Sequence, residues 1–317
     1  MQQIRDSITA LGIRTGKNYN LSAAFGASTA NATNIEWNNI VPIVDMINLM
    51  TYDFFGAWDC IANHNSPLFA PTSGDPSFNL NSAFNMLVTT YGVPSSKINL
   101  GVGFYGRSQT GATALHVATN CNVNNTLFFA DDGSPLYYNI FNNLSQFDTY
   151  WDNTAKVPYL LGKSTGSAAG TFVSYDNALS VGYKAQYILD NNARGAIIWE
   201  ITGDYLETSS GSGVIAGTPL LDTLNQVFCS IPTGIATTTD KEIAVVYPNP
   251  TTGMIFIALK NSKKTTVSIS DIKGSMLFSK TLLETELTIN LEHFSEGVYF
   301  MKIENGESVY HQKIIKL

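Results

Sequence analysis

Three short stretches carry the side chains able to do chemistry. The first is Met50-Thr51-Tyr52-Asp53-Phe54-Phe55-Gly56-Ala57-Trp58, the second Gly101-Val102-Gly103-Phe104-Tyr105-Gly106-Arg107, and the third Gly195-Ala196-Ile197-Ile198-Trp199-Glu200. Each begins as an apolar strand-like run and ends in polar or aromatic residues. On a strand, Met50 and Tyr52 would share a face, as would Tyr105 and Arg107, with Asp53 where the first strand gives out. Taken singly, Tyr52 and Trp199 read as core aromatics and Asp53 with Arg107 as an ordinary ion pair. Taken together they offer aromatic faces, phenol hydroxyls, a carboxylate and a guanidinium at one end of a sheet. Aromatic faces stack on sugar rings while the polar groups bond hydroxyls and amides, so the chemistry points to a carbohydrate cleft.

The elements that must position these groups alternate. Leu21–Ala27 and Asp45–Asp53 read as strands, and Glu36–Val41 as a helical turn between them. A helical period runs from Phe78 to Val88, followed by a strand over Ile98–Tyr105. Helical spacing returns over Ala178–Leu189, then a strand over Gly195–Ile201 and a helix from Leu220 to Val227. Strand and helix in this order imply parallel βαβ units with a sheet buried on both faces. Four such units make half of an eight-stranded barrel, where strand C-terminal ends form the active site. The third and fourth strands are too far apart for one crossover, so an α+β insertion is expected at about residues 108–170. At the N-terminus Ile4, Ile8 and Leu11 repeat at helical spacing with Gly12 as the expected cap. Met1-Gln2-Gln3-Ile4-Arg5-Asp6 is not a basic stub before an apolar core, so these residues read as no signal peptide.

Composition narrows the classes. The chain has 317 residues, 44% of them hydrophobic and only 14% charged, enough to bury a sizeable core. Residues 1–242 hold 10 Lys and Arg against 18 Asp and Glu, and residues 243–317 hold 8 against 7. No basic surface for a nucleic acid follows, no apolar run is long enough to span a bilayer, and no cofactor or metal is called for. Three cysteines make no disulfide framework; Cys60 and Cys121 can close one bridge, but unpaired buried thiols are the favoured reading.

After Cys229 the texture changes. Residues 229–242 read as a small-residue linker, and residues 243–317 as an all-β sandwich with strands at Met254–Leu259, Thr265–Ser270, Met276–Lys280, Leu287–Asn290, Val298–Ile303 and Val309–Ile315. Asn249-Pro250, Lys273-Gly274, Glu296-Gly297 and Asn305-Gly306 are the turns between them. His293 and His311 are isolated and read as surface histidines.

As a set and in this order, the three motifs resemble the chitinases of glycoside hydrolase family 18. So do Lys156-Val157-Pro158-Tyr159 and Tyr175-Asp176-Asn177, which match that family's insertion and last crossover. The likeness covers about residues 1–228 and implies the fifth to eighth strands of a (β/α)8 barrel. By it, Tyr52 would bond the substrate's acetamido group, with Met50 lining the same site. Asp53, Tyr105 and Arg107 would position sugars around the scissile bond. Trp199 would floor the subsite of the reacting N-acetylglucosamine, and Trp58 would line the leaving-group side. The family's general acid ends an Asp-x-x-Asp-x-Asp-x-Glu motif, which this sequence lacks; Glu36 and Glu200 stand in no such pattern.

The resemblance therefore implies the C-terminal part of a chitinase, nearly inactive alone, with its general acid expected upstream of Met1. An endo-acting N-acetylglucosaminidase, a catalytically dead chitin-binding protein and a gene remnant are the other readings. Val246-Tyr247-Pro248-Asn249-Pro250-Thr251-Thr252-Gly253, Asp271-Ile272-Lys273-Gly274, Phe294-Ser295-Glu296-Gly297-Val298-Tyr299 and Lys313-Ile314-Ile315-Lys316 resemble a type IX secretion C-terminal sorting domain. That resemblance implies export to the surface or medium, with the secretion machinery and chitin as partners.

Overall fold

A computed structural model describes residues 1–229, 244–259, 264–272, 274–305 and 309–316. The chain divides into two compact units, Met1–Pro232 and Thr233–Leu317.

The first unit opens with α1 (Gln2–Thr15). This helix runs through Gly12, the expected cap, and ends at Gly16 with φ 67°. Gly16 adopts the left-handed turn at the helix end without a Cβ to oppose it, and its cap bond returns to Gly12 O. Arg5 ties α1 down, its Nη2 2.6 Å from Asp45 Oδ2 and its Nε donating to Ile43 O. Then follow β1 (Ser22–Gly26), α2 (Thr29–Ala32), α3 (Trp37–Ile40), β2 (Met46–Met50), α4 (Leu80–Asn85), which continues as a π-turn over Met86–Thr90, and β3 (Ile98–Gly103). Next come β4 (Arg107–Thr110), α5 (Tyr137–Asn143), β5 (Phe147–Asp152), β6 (Val157–Gly162) and β7 (Thr171–Ser174). The unit closes with α6 (Ala178–Asp190), β8 (Gly195–Trp199), the short pair β9 (Leu206–Glu207) and β10 (Ile215–Gly217), and α7 (Pro219–Cys229).

Strands β1, β2, β3 and β8 form one parallel sheet in that order. All six residues of β3 are buried, as expected of a strand covered on both faces. Ile47, Leu49, Ile98 and Leu100 pack with Trp37, Phe84 and Leu87, while Val102 and Phe104 join Val181, Ala185, Leu220 and Leu224 in a second cluster. The insertion after β3 is an antiparallel sheet ordered β4-β7-β6-β5, with α5 beside it, giving the α+β content expected there.

Two loops lie against this inserted sheet. His64 is fully buried, its Nε2 2.9 Å from Asp152 Oδ2 and its ring 6.0 Å from that of Tyr159. The favoured reading of the cysteines is overturned: Cys60 and Cys121 form a disulfide, and Cys229 is free but exposed. Segments 60–62 and 116–119 exchange backbone hydrogen bonds in antiparallel fashion, which brings the two thiols together. Sequence spacing carries no sign of that pairing.

The second unit contains β11 (Ala244–Tyr247), β12 (Met254–Leu259), β13 (Thr265–Ser270), β14 (Met276–Leu282), β15 (Glu286–Asn290), β16 (Gly297–Glu304) and β17 (Val309–Lys316). Sheets β11-β12-β15 and β14-β13-β16-β17 share one core, in which Ile255, Ile257 and Ile289 meet Val267, Ile269, Met301 and Ile303. The alternation in β12 and β13 puts every second side chain inward, which is why the expected strands are found. Strand β11 is the addition. Asn249 completes the far side of β17: its Nδ2 donates to Lys313 O at 2.6 Å and its Oδ1 accepts from Ile315 N at 2.9 Å. His293 and His311 are exposed, as expected. Of the expected linker only Cys229 is described; the rest of it, with Lys273 and Gly306 of two expected turns, lies outside the described residues.

Candidate functional site

Strand β2 stops at Met50, because the chain turns there and Thr51 N bonds back to Leu49 O. Tyr52 and Asp53 therefore stand on the loop after the strand rather than on its pleat. Asp53 has φ 60°, a left-handed conformation that Asp tolerates better than most residues. Its carboxylate is the hub of the site. The Tyr105 hydroxyl donates to Asp53 Oδ1 at 2.6 Å, Arg107 Nε donates to the same oxygen at 2.8 Å, and Arg107 Nη2 lies 2.7 Å from it.

Aromatic rings frame that hub. The Tyr52 and Tyr105 rings meet edge to face with centroids 6.0 Å apart. The Arg107 guanidinium lies over both Trp58, 5.2 Å from the ring centre, and Tyr105, 5.1 Å away. Arg107 Nη1 donates to Ser134 Oγ at 2.7 Å, which fixes the fork. Glycines in β3 make the room: a Cβ on Gly101 would stand 2.7 Å from the Tyr52 ring, and one on Gly103 would stand 3.0 Å from that of Tyr105. A cleft of about 450 Å³ opens beside the cluster, lined by Met50, Tyr52, Asp53, Trp58, Asp59 and Phe78 among others.

The electrostatics keep the phenols protonated. Burial, then the Asp53 charge, pushes the Tyr52 hydroxyl up to about 12, and the same causes push Tyr105 up further. Both therefore act as donors at neutral pH. Asp59, at the cleft wall, has its carboxyl raised above the ordinary range by burial. Among the described residues no group of three or more His, Cys, Asp or Glu could hold a metal ion.

The structure thus brings Tyr52, Asp53, Tyr105, Arg107 and Trp58 into one cluster and sets Met50 in the wall of the same cleft. Trp199 ends β8 in register with Gly103 and is 59% exposed; it belongs to the same end of the sheet without entering the hydrogen-bonded cluster. Glu200, next to it, accepts from Thr202 Oγ1.

Sequence reasoning missed the support beneath the loop. Asn65 Oδ1 accepts from Asp53 N at 2.9 Å, Ser66 Oγ donates to Thr51 O at 2.6 Å, and the buried Lys184 Nζ reaches Ser66 Oγ at 2.8 Å. Lys184 also lies 2.7 and 2.6 Å from the two oxygens of Asp176. The only signal in the sequence was a polar run, Asn63-His64-Asn65-Ser66, which reads as a surface loop yet is buried throughout.

Comparison with known proteins follows the same division of the chain. The model of the glycosyl hydrolases of family 18 matches residues 1–204, and that of the secretion system C-terminal sorting domain matches residues 245–317. Over 222 residues the chain is 39% identical to Chitinase A1 of Niallia circulans, covering 66% of this chain and 31% of that protein. The solved chitinase ChiA74 from Bacillus thuringiensis matches with TM-score 0.62 and 28% identity, over 99% of this chain and 53% of that one. A family 18 N-acetylglucosaminidase from Paenibacillus barengoltzii matches with TM-score 0.58 and 25% identity, over 71% of this chain and 61% of that one. The chain spans about a third of the length of the curated relative and 53–61% of these two solved ones. Its C-terminal sorting domain marks it as a protein exported by type IX secretion, to the medium or the cell surface.

Proposed function

From the premise that this chain belongs to the glycosyl hydrolases of family 18, we propose that it supplies the sugar-gripping half of a secreted chitinase acting on β-1,4-linked N-acetylglucosamine. On this reading residues 1–228 are strands five to eight of the barrel with the insertion at about 108–170. Residues 243–317 are the part handed to the type IX secretion machinery, beyond a linker at 229–242.

The family's chemistry is assisted by the substrate, outside the usual two-carboxylate scheme. The acetamido oxygen attacks the anomeric carbon while a carboxylic acid protonates the departing oxygen. A protonated Tyr52 hydroxyl donates to that acetamido group and keeps it in line. Asp53, held by Tyr105 and Arg107, bonds the sugars on either side of the scissile bond, Trp199 floors the ring that reacts, and Trp58 takes the leaving-group side. The proton donor belongs to the Asp-x-x-Asp-x-Asp-x-Glu motif, absent from these 317 residues. General acid catalysis contributes roughly 10²–10⁴-fold, so the chain alone binds sugar with little or no turnover.

The observation that carries the reading is the Tyr105–Asp53–Arg107 cluster beside a cleft walled by Tyr52 and Trp58. Calorimetric titration with N,N′,N″,N‴-tetraacetylchitotetraose tests it, alongside a hydrolysis assay on the same sugar. Saturable binding that Asp53→Ala abolishes, with turnover at background, is the expected outcome. No binding, or equal binding of cellotetraose, which lacks acetamido groups, sinks it. The missing motif equally favours a second reading, a chitin-binding protein with no catalytic parent, which joining the chain to a polypeptide bearing the motif would distinguish by failing to restore hydrolysis.

A further inference from the structure

The loop bearing Tyr52 and Asp53 is held from beneath by buried polar residues. Thr51 Oγ1 donates to Gly101 O at 2.8 Å, which pins the start of the loop to β3. Three further hydrogen bonds of the loop go to one dipeptide. Asn65 Oδ1 accepts from Asp53 N, Asn65 O accepts from Phe54 N at 3.0 Å, and Ser66 Oγ donates to Thr51 O. Asn65 N in turn donates to Ser174 Oγ at 2.7 Å, and Ser174 pairs in register with Arg107. The two sides of the Asp53–Arg107 contact are therefore referred to one frame.

We propose that Asn65 and Ser66, locked from below by Lys184, are positioning residues that set the Asp53 carboxylate against Tyr105 and Arg107. Three features support the assignment, which rests on the sugar-binding reading of that cluster. First, Asp53 sits at φ 60°, an uncommon conformation for a residue with a side chain, which its surroundings help to hold. The Asn65 acceptor on its N–H is such a constraint. Second, the Asn65 amide keeps its oxygen on Asp53 N even though its Nδ2 is then buried with no hydrogen-bond partner among the described residues. The side chain is oriented by the acceptor role. Third, Lys184 is fully buried and its ammonium has three acceptors, both oxygens of Asp176 and Ser66 Oγ. With its lone pair accepting from that cation, the Ser66 hydroxyl proton has to point at Thr51 O, so the serine cannot rotate away.

The test uses the full chain and three variants: Asn65→Ala, Ser66→Ala, and Leu224→Ala, which opens a void in the other core of the same unit. Tetraacetylchitotetraose affinity is measured by calorimetry. The Arg107 Nε–H resonance, which reads its bond to Asp53, is followed by NMR without sugar. Asn65→Ala is expected to weaken binding about tenfold and to move the Arg107 resonance, because a buried donor loses its acceptor. Ser66→Ala is expected to do the same to a smaller degree, about threefold. Leu224→Ala should lower the melting temperature with neither readout changed. Should Asn65→Ala fail to fold, Ser66→Ala decides alone. An unmoved Arg107 resonance with unchanged affinity in the folded variants overturns the proposal. If the native chain binds no chitotetraose yet Asn65→Ala moves the resonance, the positioning role stands and the sugar-binding reading falls.

Discussion

In residues 1–229 the interior holds Lys184 with Asp176, His64 with Asp152, and Asn99 with Asn48, each pair bonded side chain to side chain. The described residues of 244–316 bury only Thr251, Thr265 and Lys316 among polar side chains, around a core of Ile, Val, Leu and Met. The difference reflects what each region must hold still. The first unit fixes the groups around Asp53 on loops after its strands, where no pleat dictates direction, and buried polar contacts supply that direction. The second needs two sheet faces to meet, and alternation of apolar residues is enough for that.

Perturbing one unit at a time should break or sharpen this contrast. The largest effect is expected for Lys184→Met, which leaves Asp176 buried without its cation and costs about 3–5 kcal/mol. In a calorimetric scan the transition of the first unit should fall and that of the second stay in place; a joint shift would show that the two do not unfold separately. Reducing the Cys60–Cys121 bridge should cost about 2–4 kcal/mol, again in the first unit alone, since the second contains no cysteine.

Acid separates the units by a different route. The hydrogen bond from His64 holds the Asp152 carboxyl down at about 2, against an ordinary value of 3.8. A carboxyl lowered on folding stabilises the native state above its unfolded pKa and loses that contribution as pH falls through the folded value. The first unit should therefore weaken between about pH 4 and pH 2. Urea midpoints at pH 5 and pH 2.5 measure this, and Asp152→Asn should flatten the difference. The smallest effect belongs to Ile257→Val in the second unit, about 0.5–1.5 kcal/mol and confined to that transition.

Much of the architecture could be read from the chain. The four parallel strands and the alternating strands of the second unit follow from hydrophobic period, because a buried strand or a half-buried pleat leaves a local signature. The residues that meet around Asp53 were visible as polar and aromatic ends of two apolar runs. Less was visible where the decisive contacts are distant. Helix α1 outran Gly12 because a glycine inside a helix and one capping it look alike in sequence. The 61-residue separation of Cys60 and Cys121 carries no local mark of their pairing. The burial of Asn63 to Ser66 has no mark in the sequence, because polarity predicts exposure unless something inside the fold bonds it.

What the sequence determined by itself was the order of elements, the family and the roster of polar and aromatic side chains at the strand ends, since these depend on residue type and short-range spacing. The tertiary structure alone decided that Tyr52 leaves the strand, that three donors converge on Asp53 Oδ1, and that Asn65, Ser66 and Lys184 lie beneath them. Those contacts join positions from 12 to 118 residues apart. A hydrogen bond depends on distances of tenths of an ångström that only packing sets, so no local pattern could announce them.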